Sequence, residues 1–68
     1  MNAPIHKFTR TFSTPDGQAV LMYLKSLTQE RILPADVSDS ELRYLEGQRF
    51  LVHLIETLVR QGKEQPHI

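Results

Sequence analysis

Cysteine is absent from the 68-residue sequence, which excludes disulfide staples and thiolate metal sites and leaves the redox compartment unconstrained from that side. An excess of one charge is missing too, since eight Lys and Arg balance eight Asp and Glu. That balance argues against a dedicated phosphate-binding surface, gives little steering toward nucleic acid, and eases self-association. Glycine is scarce, three in all and never clustered, so a glycine-rich phosphate cradle has no material. No apolar run approaches the roughly 18 residues of a membrane span. The N-terminus lacks the apolar core of a signal peptide, and a cytosolic setting is the expectation. Sixty-eight residues make one domain at most, with 1–4 and 63–68 expected to be flexible. A chain this small buries only about 60% of its unfolded surface, so it is marginal alone.

What is present is one long uninterrupted stretch, 41–61, with no proline and a single glycine. At about 100° per residue, Glu46, Arg49, His53, Glu56, Thr57 and Arg60 fall on one side of a helix, and Tyr44, Gly47, Leu51, Leu54, Ile55 and Leu58 on the other. Phe50, Val52 and Val59 lie on the flanks. The apolar sector is therefore roughly 200° wide, more than one neighbour covers. Gly47 sits inside it, where glycine costs about 1 kcal/mol of helix propensity relative to alanine. Close approach by another backbone or a large side chain is the expected return.

Upstream, Ile5, Phe8, Thr9 and Phe12 recur at i, i+3, i+4, i+7, the spacing of a short helical segment with one apolar face. The run 13–17 is either a Pro-Asp-Gly turn or a helix start with Thr14 as N-cap and Pro15 at the first helical position. The stripe of Val20, Leu21, Leu24, Leu27 and Thr28 that follows, with Gly17 on the same face, favours the helix, predicted over 14–29. Pro34 prevents its continuation. Ile32, Leu33 and Val37 are expected to fold back over the end of the core. Ser38 with Glu41 three residues on is a capping box that opens a second helix over 38–61, and Gly62 is the expected left-handed stop.

The predicted fold is all-α: an antiparallel helical hairpin with a short N-terminal helical segment across it, completed into a bundle by dimerisation. With the turn centred near Pro34, residues facing each other sum to roughly 68. Helix packing is then assigned to Gly17 against Leu51 and Gly47 against Leu21. The same rule brings Phe8 and Phe12 to the C-terminal half of the long helix, near Ile55, Leu58 and Val59.

Phe12, Thr14, Gly17, Val20, Leu21 and Leu24, followed after a connection by Glu46-Gly47-Gln48-Arg49 and an apolar helical run, resemble a family of small bacteriophage and prophage proteins typified by one from a Bordetella phage. The resemblance spans 8–59, and Gly-x-Arg on the second helix and Phe-x-Thr-x-x-Gly before the first carry most of it. It implies a phage or prophage origin, a place near virion-assembly genes, and no catalytic residues to carry over.

The residues themselves carry no reaction. His6, His53 and His67 are far apart and match no metal-ligand spacing, and the serines at helix ends are explained by capping. No enzyme, cofactor or metal is expected. Glu46, Arg49, His53 and Glu56 form a candidate polar interaction ridge, whose plain reading is a solvated face with intrahelical ion pairs and whose sharper reading has Arg49 reaching into a partner. Phe50, Val52, Leu54 and Val59 are the candidate interface, left over once the hairpin has formed. The function expected is that of a structural or accessory interaction protein: a homo-oligomer, most simply a dimer, with a virion or host protein as a further partner, in the bacterial cytoplasm or on the virion. The competing class is a small helical nucleic-acid-binding regulator. Against it stand the zero net charge, basic residues scattered along the chain, and the absence of a tight helix-turn-helix connection.

Overall fold

The computed structural model describes residues 3–65. It holds three helices, α1 (Ile5–Phe12), α2 (Pro15–Leu27) and α3 (Asp39–Glu64), and no strand among the described residues. The protein is all-α. Among the described residues no helix is long and apolar enough to cross a membrane.

Each helix begins where local chemistry directs it. Thr14 accepts a 2.9 Å hydrogen bond from the Gly17 amide, with Pro15 at the first helical position, so the 13–17 run is a helix start and not a free turn. The same hydroxyl donates to the Thr11 carbonyl at 3.1 Å, so one side chain ties the end of α1 to the start of α2. Ser38 accepts from the Glu41 amide at 3.2 Å, and Asp39 and Glu41 place negative charge in the first turn of α3. α1, with eight residues and no side-chain cap, is too short to persist unsupported. Its stability comes from packing.

That packing is chiefly onto α3, which makes far more contact with α1 than with α2. Gly62 of α3 is buried against Thr9 and Ile5, where a β-carbon would collide with Thr9 Oγ1 and lie 2.8 Å from Thr9 Cβ. The Thr9 hydroxyl reaches the Val59 carbonyl at 3.2 Å, and Phe8 and Phe12 stack with ring centres 6.4 Å apart. α1 thus lies along the C-terminal half of the long helix, and the pair Thr9 and Val59 obeys the expected sum of 68.

α2 does not obey it. Its polar ties to α3 are the Lys25–Glu56 ion pair at 3.3 Å and, at its C-cap, the hydrogen bond from Arg49 to the Thr28 carbonyl at 2.9 Å, whose numbers sum to about 80. The register is displaced by roughly three helical turns. The cause is the connection 28–38, which runs back along the first turns of α3: Arg31 and Leu33 lie beside Ser40, Glu41, Tyr44 and Leu45, and Leu45 is 2% exposed. The two glycine pairings expected across the hairpin are therefore corrected. Gly17 is buried, but against the Thr11 carbonyl and Phe12 Cα of α1, not against Leu51. Gly47 is exposed, and a β-carbon there would meet nothing within 4 Å, so it does not face Leu21.

α3 also runs past its expected stop. No glycine has a positive φ, and Gly62 is a close-packing residue inside a helix that ends at Glu64, not its cap. Of the segments expected to be flexible, residues 1, 2 and 66–68 lie outside the described residues, and so does His67, while 63–64 are helical.

The hydrophobic core is small. Leu45, Val52, Leu58 and Val59 are its buried members, with Gly17, Thr28 and Gly62 buried beside them. The radius of gyration is 14.3 Å, against about 11 Å for a compact chain of this length.

Candidate functional site

Two features of α3 were candidates for function, its polar ridge and its apolar flank. The structure divides both.

On the polar side, Arg49 reaches across to the end of α2, donating from Nε to the Thr28 carbonyl at 2.9 Å and from a terminal nitrogen to the Arg31 carbonyl at 2.7 Å. Gln29 Nε2 returns a bond to the Arg49 carbonyl at 3.2 Å. A guanidinium fork is suited to this, since it offers several donors in a fixed plane. The acceptors are the carbonyl of Thr28, the C-cap of α2, which also accepts from the Arg31 amide at 3.3 Å, and that of Arg31 in the connection that follows. Arg49 is therefore more than a solvated charge, although its partners are backbone carbonyls and not a carboxylate. Glu56 pairs across helices with Lys25, not along its own helix. Arg60 makes a loose intrahelical pair with Glu64 at 3.9 Å. Glu46 and His53 are exposed. The ridge is thus two separate ties between α2 and α3 flanked by solvent-facing residues, with no chemistry converging on one point. Among the described residues no group of three His, Cys, Asp or Glu could hold a metal ion.

The apolar side splits into two rows with coiled-coil spacing. Leu45, Gln48, Val52, Ile55, Val59 and Gly62 recur at intervals of three and four, and this row faces the rest of the chain, buried or half-buried throughout. Val52 and Val59, expected at an interface, belong to it: they are 5% and 7% exposed and form the protomer's own core. The second row, one residue earlier at each step, is Tyr44, Gly47, Leu51, Leu54 and Leu58. Leu58 is buried in the half of α3 on which α1 packs. The other half is open, with Tyr44 71%, Leu51 57% and Leu54 41% exposed, and Phe50 beside them at 69%. Of the expected interface, Phe50 and Leu54 remain free surface.

This open row continues onto α2. Leu24 and Leu27 of α2, with Thr28 and Arg31 beyond them, line a cleft of about 620 Å³ against Gln48, Leu51 and Val52, and Leu51 borders both the cleft and the row. On α2 the inward line is Gly17, Leu21, Leu24 and Thr28, whereas Val20 and Leu27, expected on that face, are exposed. Sequence periodicity could not separate these, because α2 meets α3 along a narrow line and α1 has already occupied the C-terminal half. Met22 and Tyr23 add further exposed apolar surface. The chain leaves 5526 Å² accessible, where a compact globular chain of 7.9 kDa leaves about 4,400 Å². The excess, about 1,100 Å², belongs to the chain as a whole and goes with its elongated shape, 50 × 28 × 14 Å.

Neither a curated protein nor a solved structure matches the chain. The model of one family does, Bbp19-like phage protein, over residues 8–65. That span runs from Phe8 of α1 through the whole of α2 and α3, so it contains both glycine contacts, the Arg49 tie and the open apolar row, and the chain belongs to the family of Bbp19-like phage proteins.

Proposed function

We propose that this phage protein is a non-enzymatic accessory or structural interaction protein, self-associating in the cytoplasm of the bacterial host and acting in, or on the way to, the virion. The observation that carries this reading is the open apolar surface of α2 and α3, where Tyr44, Phe50, Leu51 and Leu54 stay exposed while only Leu45, Val52, Leu58 and Val59 are buried hydrophobic side chains among the described residues. Contiguous apolar surface of that kind marks interfaces in soluble proteins. The family supports a phage setting, and the near-zero charge places no repulsive barrier against assembly.

Sedimentation equilibrium of the purified protein at micromolar concentration, combined with particle yield from the phage carrying the gene with and without an in-frame deletion, tests the proposal. Reversible association and a loss of infectious particles in the deletion support it. A monomer at every concentration, with undiminished particle yield, overturns it.

A further inference from the structure

The open row on α3 has a shape as well as an area. Gly47 sits midway along it with empty space above its α-carbon, between Tyr44 and Leu51, each more than half exposed. A gap framed by large side chains is the hole of a knobs-into-holes contact, and nothing in the protomer fills it. We infer that its occupant is a second copy of this chain, paired through α3 in antiparallel fashion about a two-fold axis near Phe50, so that Leu51 of each copy enters the gap over the other's Gly47. The inference rests on the self-association proposed above and supplies its geometry.

Size complementarity selects the antiparallel arrangement. In a parallel pair each residue meets its own counterpart, so the two glycines face each other across a void and the two tyrosines crowd together. In an antiparallel pair with residue numbers summing to about 98, Gly47 meets Leu51 and Tyr44 meets Leu54, small against large. Charge agrees, because this arrangement sets the two acidic first turns of α3, each with Asp39 and Glu41, at opposite ends of the contact. A parallel pair would set the two acidic turns side by side. Antiparallel helices also oppose their dipoles favourably. An isologous contact of this kind closes on itself and needs no third copy.

Because the chain has no cysteine, an introduced thiol reports its own neighbours alone. Single-cysteine variants Tyr44→Cys, Phe50→Cys and Leu54→Cys are to be treated with a short thiol-specific cross-linker, with Ile32→Cys, exposed and outside α3, as the background. Phe50→Cys should cross-link to itself. Tyr44→Cys and Leu54→Cys should not, since their copies lie about 15 Å apart along the axis, but an equimolar mixture of those two should cross-link efficiently. Equal cross-linking of all three single variants indicates a parallel pair and overturns the inference, as does cross-linking no greater than that of Ile32→Cys. Either result in a protein that still sediments as a dimer leaves self-association standing and removes only this arrangement, whereas a monomer removes both. As a second measurement, Gly47→Leu should keep its helical circular dichroism while its dimer dissociation constant rises by roughly tenfold or more. An unchanged dissociation constant overturns the inference.

Discussion

Gly62 of α3 lies against Thr9 of α1, so closely that a β-carbon on Gly62 would overlap the Thr9 hydroxyl, which itself reaches the Val59 carbonyl at 3.2 Å. This contact fixes the shortest helix of the chain onto the longest. With the Gly17 amide bonded to Thr14 and its α-carbon beneath the end of α1, it makes α1 the element that both other helices are built around. The half of α3 beyond its reach is the half left for a partner.

The three glycines should respond to alanine in a definite order. At Gly17 the obstruction is backbone, the Thr11 carbonyl and Phe12 Cα, which cannot rotate away, so Gly17→Ala should cost about 2–3 kcal/mol. At Gly62 the Thr9 hydroxyl can turn aside at the loss of a hydrogen bond, but Thr9 Cβ at 2.8 Å moves only with α1, a short helix that can shift as a body, so Gly62→Ala should cost about 1–2 kcal/mol, less than Gly17→Ala. Urea unfolding at fixed protein concentration checks the order, and equal costs would contradict the packing described.

Gly47→Ala should have the opposite sign. No atom lies within 4 Å of the added carbon, and a solvent-facing helical glycine gives up about 1 kcal/mol of propensity. At the lowest concentrations that give a signal, where association contributes least, Gly47→Ala should raise the thermal midpoint. A lowered midpoint there would place Gly47 against the protomer's own core.

Much of this was legible in the sequence, for local reasons. Thr14-Pro15 and Ser38 with Glu41 announce helix starts through chemistry contained within four residues, and both caps are formed. The spacing of Ile5, Phe8, Thr9 and Phe12 gave α1, which the chain forms over Ile5–Phe12. The pairing of helices was not legible, because it depends on where the connection 28–38 goes. A turn centred on Pro34 assumes that the chain reverses in place. Instead it travels along α3, which moves α2 toward the α1-bound half and strands Gly47 beyond α2's reach. The same displacement explains the interface residues. Val52 and Val59 share the inward row with Leu45, whereas Phe50 and Leu54 do not, and a flank assignment by angle alone cannot tell a row that is covered from one that is not. Arg49 was legible as an unusual charge but not in its target, since a backbone carbonyl leaves no mark in the sequence.

Thr14 holds two helix ends with one hydroxyl, accepting from Gly17 and donating to Thr11. Thr14→Ala removes the cap and the tie together and should cost about 1–2 kcal/mol. Thr14→Asp keeps an acceptor for the Gly17 amide but carries no proton for the Thr11 carbonyl, so it should recover only part of the loss. Full recovery by aspartate would show that the cap alone matters.

Arg49 provides the sharpest test of how α2 is held. Its two donors reach the carbonyls of Thr28, the C-cap of α2, and of Arg31 in the connection beyond it, and hydrogen bonds from a charged donor are worth about 1.5–3 kcal/mol. One of the two is exposed to solvent, so Arg49→Ala should cost about 2 kcal/mol in urea unfolding, near the lower end of that range. Arg60→Ala serves as the comparison. Its pair with Glu64 is long, 3.9 Å, with both side chains more than 60% exposed, and surface pairs of this kind contribute about 0–1 kcal/mol. Arg49→Lys separates charge from geometry: it keeps the positive charge near the end of α2 but cannot span two carbonyls as a planar fork does, so it should fall between wild type and Arg49→Ala. Equal small effects of Arg49→Ala and Arg60→Ala would mean that the tie contributes nothing and that α2 is held by α1 and by its remaining contacts with α3.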